Sequence, residues 1–309
     1  MEKEIKIRQL LCYLEEKEIK YTFKGNEEDI VKGFSSLFNY KSNTLTFISS
    51  MYDYKDFYSK NKDKIIQLII TSSNNIDDYA NANNIIQVDN SKIVFFDILE
   101  EFYRDSDESE EMIKTNQAHS FISDKAIIGK NVKIGIGCVI EPNVQIGDNT
   151  EIHHNVVIRS NSKIGKNCTI YSGTVIGERG FNPQTLEDKT RQMVKHYAGV
   201  TIKDNVHIGV NCSIHKGTID DTVIEDGVKL NTMVHIAHNS VIGSNTVVTM
   251  PTQVCGSVNI GKNCHIAAMT IRNQCNIGEN ATLGLGSVIV KDVEADEVIV
   301  GNPGKPLRK

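Results

Sequence analysis

The chain has 309 residues, 39% hydrophobic and 24% charged, with 39 acids against 34 bases and a net charge of −5. That balance excludes a disordered chain, and the mild acidity offers no broad basic surface for nucleic acid. No apolar run approaches the ~20 residues of a membrane span, and the N-terminal MEKEIKIRQLLCYLEEKEIKY has no signal-peptide core, so a cytoplasmic protein with no transmembrane segment is expected.

Composition divides the chain near Met112. Sixteen of the 20 Phe and Tyr residues precede it, but only Gly25 and Gly33 of the 22 glycines do, and all five Pro and all nine His follow it. Ile5, Leu10, Leu11 and Leu14 fall at helical spacing. Short apolar runs follow at 45–48, 65–70 and 85–88, then a helix-like FFDILEEFY at 95–103. Strands alternating with helices predict a small α/β domain over residues 1–104. The acidic run DSDESEE at 105–111 reads as a solvated join, placing a linker at 105–117 and a second domain at 118–309.

The second domain is periodic. An aliphatic recurs every six residues from Ile122 through Ile128, Ile134 and onward to Ile176. The series resumes at Ile202, Ile208 and Ile214, runs from Ile224 to Ile266, and closes with Ile277, Leu283 and Ile289. Gly often follows the aliphatic, as at Gly129, Gly147 and Gly243. Period six fits neither a helix nor a hairpin meander. It fits a coil of three short flat strands, one inward aliphatic on each, with Gly taking the turns where a positive φ is cheap. Eighteen residues make one coil, so the series gives about eight coils stacked at the ~4.8 Å strand spacing. Cys138, Cys168, Cys212, Cys264 and Cys275 each stand two residues before a repeat aliphatic, an inward slot that wants a small side chain. Two interruptions must leave the coil: a polar loop at 178–199 and a shorter bulge between Ile214 and Ile224.

These hexads resemble those of the left-handed parallel β-helix acyltransferases with hexapeptide repeats. The left hand is implied by that resemblance, since the general crossover rule favours the right. Within the family, GTIDDTVIEDGVKLNTMVHIAHNSVIG at 217–243 is similar to the core of UDP-3-O-acylglucosamine N-acyltransferases of lipid A synthesis. SGTVIGERGFN at 172–182 resembles their sugar-nucleotide loop, and the likeness covers nearly the whole chain. It implies a mainly β chain, a left-handed β-helix preceded by the α/β domain, and a homotrimer with sites between subunits. It also implies that the small domain holds the nucleotide between two aromatics. Phe47 occupies the first of those positions. Ser50 stands where an Asn is expected, and Tyr52 or Tyr54 fits the second aromatic only by sliding the register. Two alternatives therefore stay open: a nucleotide other than uridine, UDP or dTDP being undecided, or a domain that kept the fold and lost the pocket.

Acyl transfer from a thioester to an amine needs a base, a donor for the tetrahedral oxyanion, and a groove for two long substrates. Sulfur leaves readily, so no covalent intermediate is needed, and His is the natural base. His238, in VHIAHN, matches the family's catalytic segment and is the candidate general base. Gly256 follows one coil later and should stack about 5 Å away, where its N–H matches the family's oxyanion donor. Asn182 and His196, in or beside the long loop, are candidate sugar contacts. His215, at a turn, and His235, in an outward slot, are further candidate substrate contacts. The family's second histidine is absent, and RNQCNIG at 272–278 places Gln274 near its position. The ending IVGNPGKPLRK at 299–309 resembles tails of coenzyme-A-dependent sugar acetyltransferases rather than helices that engage carrier protein, so Lys305 and Arg308 are candidate contacts to coenzyme A phosphates.

The expected function is transfer of an acyl group from acyl-CoA to the amino group of a nucleotide-linked sugar in cell-surface polysaccharide synthesis, with no permanently bound cofactor and no metal. The alternatives are the lipid A enzyme itself, fed by a 3-hydroxyacyl carrier protein, and, from other classes, a γ-type carbonic anhydrase binding zinc through histidines or a purely structural solenoid.

Overall fold

The computed structural model describes residues 3–48, 51–73, 76, 79–103, 119–303 and 305–307. The chain divides into two compact units, Met1–Ser109 and Glu110–Lys309. The linker expected at 105–117 lies outside the described residues.

In the first unit the helix Ile7–Glu16 buries Leu10, Leu11 and Leu14 as their spacing predicts, with Ile7 completing the stripe, whereas Ile5 lies in the short strand Ile5–Lys6 before it. Leu45–Ile48, Ile66–Thr71 and Ala82–Val88 form parallel neighbours, and Tyr21–Lys24 joins antiparallel at the edge. The central strand IQLIIT is buried at five of six positions, as suits a parallel strand covered on both faces. The helix Met51–Lys60 carries the first crossover. The helix Ser91–Phe102 begins where the Asn90 side chain accepts from the Ile93 N–H at 3.1 Å.

The second unit is a mainly β solenoid. Strands of two to four residues stack in parallel into three faces of nine, eight and ten strands, the tenth being antiparallel Lys305–Pro306. Register advances by one coil, Ile140 to Ile158, Ile146 to Ile164 and Ile152 to Ile170. The repeat aliphatics form one continuous buried cluster from Cys138 to Ile299. Each of these side chains contributes roughly 2 kcal/mol by leaving water. The small slot two residues before the aliphatic holds Cys138, Cys168, Cys212, Cys264 and Cys275, all buried. Elsewhere it holds Val, Ala, Thr or Ser, and where it is Thr150 the hydroxyl donates to a carbonyl of the next coil, Gly165 O at 2.9 Å.

Two features differ from the sequence reading. The glycines after the aliphatics are mostly not the left-handed turn residues. Those are Asn, at Asn131, Asn149, Asn167, Asn245 and others with φ near +60°. The Asn side chain tolerates that conformation and bonds its counterpart one coil away, Asn131 Nδ2 to Asn149 Oδ1 at 3.1 Å. Glycine is required for closeness instead: a Cβ on Gly147 would stand 2.6 Å from the Gly165 carbonyl carbon. The second feature is Ile271, fully buried only five residues after Ile266, where the sequence series shows a gap. One side is a residue short, and the register continues from Gln253 to Thr270.

Candidate active site

Both interruptions leave the solenoid at one corner. They follow Ile176 and Ile214, which lie on the same face as Ile236, whose turn carries His238. The two insertions are tied together there. Tyr197 N–H donates to Thr218 O at 2.8 Å, and the Asp221 carboxylate accepts from Gly199 N–H at 2.7 Å and Thr201 Oγ1 at 2.6 Å. Between Pro183–Thr185 and Arg191–Met193 the long insertion folds back as an antiparallel hairpin.

His238 stands at the centre of this corner. Its Nδ1 lies 2.9 Å from Asn239 Oδ1. That oxygen also accepts from the Thr218 backbone N–H at 3.2 Å and from the Thr218 hydroxyl, so it can only receive a proton from the imidazole. Nδ1 therefore carries the hydrogen, and Nε2 is the basic nitrogen. Asn239 is itself a left-handed turn residue, with φ +60°, held by its N–H to Thr222 Oγ1 at 2.9 Å. Gly256, one coil on, lies flat beneath the ring: a Cβ there would be 2.8 Å from His238 Nε2 and Cε1. The amides flanking Gly256 are spent on the ladder, Cys255 to Ile271 O at 3.1 Å and Ser257 to His238 O at 2.9 Å. Gly256 N–H has no hydrogen-bond partner among the described residues.

Three more histidines surround this point. His196, on the long insertion, is 2% exposed and meets His238 edge to face, with centroids 5.3 Å apart. Burial pushes its imidazole down to about 4, helped by the neighbouring His238. His215 and His235 form a second edge-to-face pair at 4.7 Å. Burial and then His235 push His215 down to about 4 against the opposing pull of Glu178, and burial lowers His235. At neutral pH His196 and His215 are therefore uncharged. Among the described residues no group of three or more His, Cys, Asp or Glu could hold a metal ion, and no helix is long and apolar enough to cross a membrane.

The remaining sequence candidates fall as follows. Asn182 is half-buried at the base of the hairpin, its carbonyl accepting from Val194 N–H at 3.0 Å, beside Phe181, which is 78% exposed. Gln274 is exposed and stacks over Ser257 and Asn239 in the left-handed slot, since its N–H bonds Gly256 O at 3.0 Å. With that coil one residue short, Asn273 rather than Gln274 stands over Gly256 and His238. Phe47 belongs to the first unit, where its half-buried ring packs on Phe95 and Phe96 at 4.9 and 6.0 Å. Tyr54 is core, hydrogen-bonded to Asn81 and edge-on to Tyr79 at 4.7 Å. Lys305 is exposed on the last strand, and Arg308 lies outside the described residues. Sequence reading missed Asn239, Thr218, Asp221 and Gly180. A Cβ on Gly180 would touch both His196 Nε2 and His238 Cδ2 at 2.8 Å.

Two family signatures match the solenoid: "Bacterial transferase hexapeptide (six repeats)" at residues 125–160 and 147–178, and "Hexapeptide repeat of succinyl-transferase" at 234–268. The chain is 32% identical over 90 residues to a UDP-3-O-acylglucosamine N-acyltransferase of Caulobacter sp. (strain K31), covering 29% of this chain and 26% of that protein. It is 33% identical over 86 residues to an acyl-[acyl-carrier-protein]–UDP-N-acetylglucosamine O-acyltransferase of Pseudomonas putida (strain F1), covering 28% and 33%. The chain thus spans a third or less of the length of these curated relatives. The crystal structure of a UDP-N-acetylglucosamine O-acyltransferase from Moraxella catarrhalis superposes with a TM-score of 0.56 at 32% identity, over 61% of this chain and 72% of that one.

Proposed function

We propose, from the premise that the chain belongs to the hexapeptide-repeat left-handed β-helix acyltransferases, that it moves an acyl group from a thioester to the amino group of a nucleotide-linked sugar. The observation that carries this reading is the bare Nε2 of His238, fixed by Asn239 and facing a glycine whose N–H is unspent. The amine nitrogen attacks the thioester carbonyl carbon, and His238 Nε2 takes the proton it sheds. As the C–N bond forms, the carbonyl oxygen becomes an oxyanion that accepts a hydrogen bond from Gly256 N–H. Collapse breaks the C–S bond, and the departing thiolate takes the proton back from His238. No covalent enzyme intermediate is needed.

The similarity of 217–243 to the core of N-acyltransferases supports nitrogen over oxygen as nucleophile, and the relative from Caulobacter is named for that reaction. The likeness of the 299–309 segment to coenzyme-A-dependent acetyltransferases supports acyl-CoA as donor, with Lys305 and Arg308 meeting its phosphates. The family resemblance supports action as a homotrimer, in the cytoplasm. The second reading, supported by the carrier-protein donor in the name of the relative from Pseudomonas, is an acyl carrier protein as donor.

Mass spectrometry of products separates these readings. UDP- and dTDP-amino sugars are incubated with acetyl- and 3-hydroxyacyl-CoA, and with the same acyl groups on carrier protein. An amide product formed with acyl-CoA alone is expected. Turnover only with carrier protein gives the donor to the second reading, and an ester product overturns nitrogen as nucleophile.

A further inference from the structure

We infer that His196 is a positioning residue for the acyl transfer, its buried Nε2 lone pair favouring the positive charge that His238 acquires when it takes the substrate proton. For its kinetic consequence this rests on the reading of His238 as base; the contact between the rings does not.

The geometry begins at Nδ1. His196 Nδ1 lies 3.0 Å from Val194 O, and a carbonyl only accepts, so Nδ1 bears the hydrogen. Nε2 is then a lone pair. It is buried, in a residue 2% exposed, and has no hydrogen-bond partner. A buried acceptor without a donor costs stability, and a native fold keeps one where something else uses it. Close beside it lies the ring of His238. The two rings meet at 76°, and one carbon placed on Gly180 would touch His196 Nε2 and His238 Cδ2 alike. The absent side chain at Gly180 is what lets the rings approach.

Neutral His238 gains little from this neighbour. Once protonated, His238 carries a spread positive charge, and a lone pair close to its ring stabilises that cation. His196 must stay neutral to do so, and its burial keeps it neutral. The other titratable groups facing the pair are His215, held neutral in its own pair, and Lys216, whose charge further disfavours protonation of His196. From the turn of His238 itself, Asn239 faces Nδ1, and from the next coil the main chain of Gly256 meets the ring. Because Nε2 of His196 is closed to solvent, the residue acts through His238 and not by touching the sugar.

The test compares His196→Leu, which keeps about the same volume without a lone pair, with His196→Gln, whose amide oxygen can stand where Nε2 does. In the Leu variant kcat should fall about tenfold, KM for both substrates should hold, and the acid limb of kcat should move about one unit to lower pH, as loss of a favourable neighbour of a cation requires. The Gln variant should recover most of both. Unchanged kcat and pH profile in a folded Leu variant overturn the inference. Should the variants not fold, the wild type still decides: the ¹⁵N shift of His196 Nε2 should follow the protonation of His238, and a shift that stays flat through it overturns the inference. If His238→Ala keeps full kcat, the base assignment fails, while the ¹⁵N result still judges the contact between the rings.

Discussion

At His238, the hydrogen bond from Nδ1 to the Asn239 carboxamide decides which ring nitrogen can accept a proton. Replacing Asn239 by Gly keeps the left-handed turn, with φ +60°, and removes the acceptor. The ring can then adopt the wrong tautomer, and kcat should fall by at least about tenfold with KM little changed. Asn239→Asp retains an acceptor for Nδ1–H and for Thr218, so steady-state kinetics should show it closer to wild type than the Gly variant. The histidines around it also set a pH limit on the fold. His196 and His215 are held at about 4 when folded, from an ordinary 6.5. The unfolded chain therefore binds these protons first as pH falls. Their neutral burial costs nothing above about 6.5, and stability drains away between there and about 4. Thermal unfolding followed from pH 7.5 to 4 should show Tm falling across that window. A flat Tm contradicts the assignment.

The coil is built from a few residue types in fixed slots, and each slot can be tested. Asn149 holds φ +58° and bonds its counterpart Asn167. Asn149→Ala should destabilise the solenoid by about 1–2 kcal/mol, the cost of a left-handed Cβ, whereas Asn149→Gly should cost less in thermal unfolding. The inward half of this pattern was legible in the sequence because burial imposes a strict period on Ile, Leu and Val and a small size on Cys138 or Cys212. The turns were harder to read. Gly follows the aliphatic for want of space, and the left-handed residue is the Asn two positions later. Asn239 escaped notice for the same reason: its type and slot repeat in coil after coil, and here the side chain is hydrogen-bonded to a histidine. Ile271 was missed because a deletion breaks the period. The meeting of both insertions with His238 was within reach. Every third aliphatic, Ile140, Ile158, Ile176, Ile214 and Ile236, lies on one face. What no periodicity encodes is the tie of Thr218 to Asn239, or the burial of His196 by the long insertion.

At the scale of the whole molecule, Phe121, Val139, Val157 and Val175 stand in register on the outward side of one solenoid face. An apolar outer stripe of this kind is what self-association covers. Sedimentation velocity at micromolar concentration should give a single species of three times the 34.4 kDa chain mass. An active monomer contradicts this. In the proposed chemistry one imidazole, held by Asn239 beside Gly256, takes the nucleophile's proton. His238→Ala removes that group at an outer corner and leaves the buried aliphatic cluster untouched, so the fold should survive. With both substrates saturating, kcat of the variant should fall by roughly 10²–10⁴-fold, the usual worth of a positioned general base, and substrate affinities should hardly change. A His238→Ala protein that turns over at the wild-type rate would contradict the account.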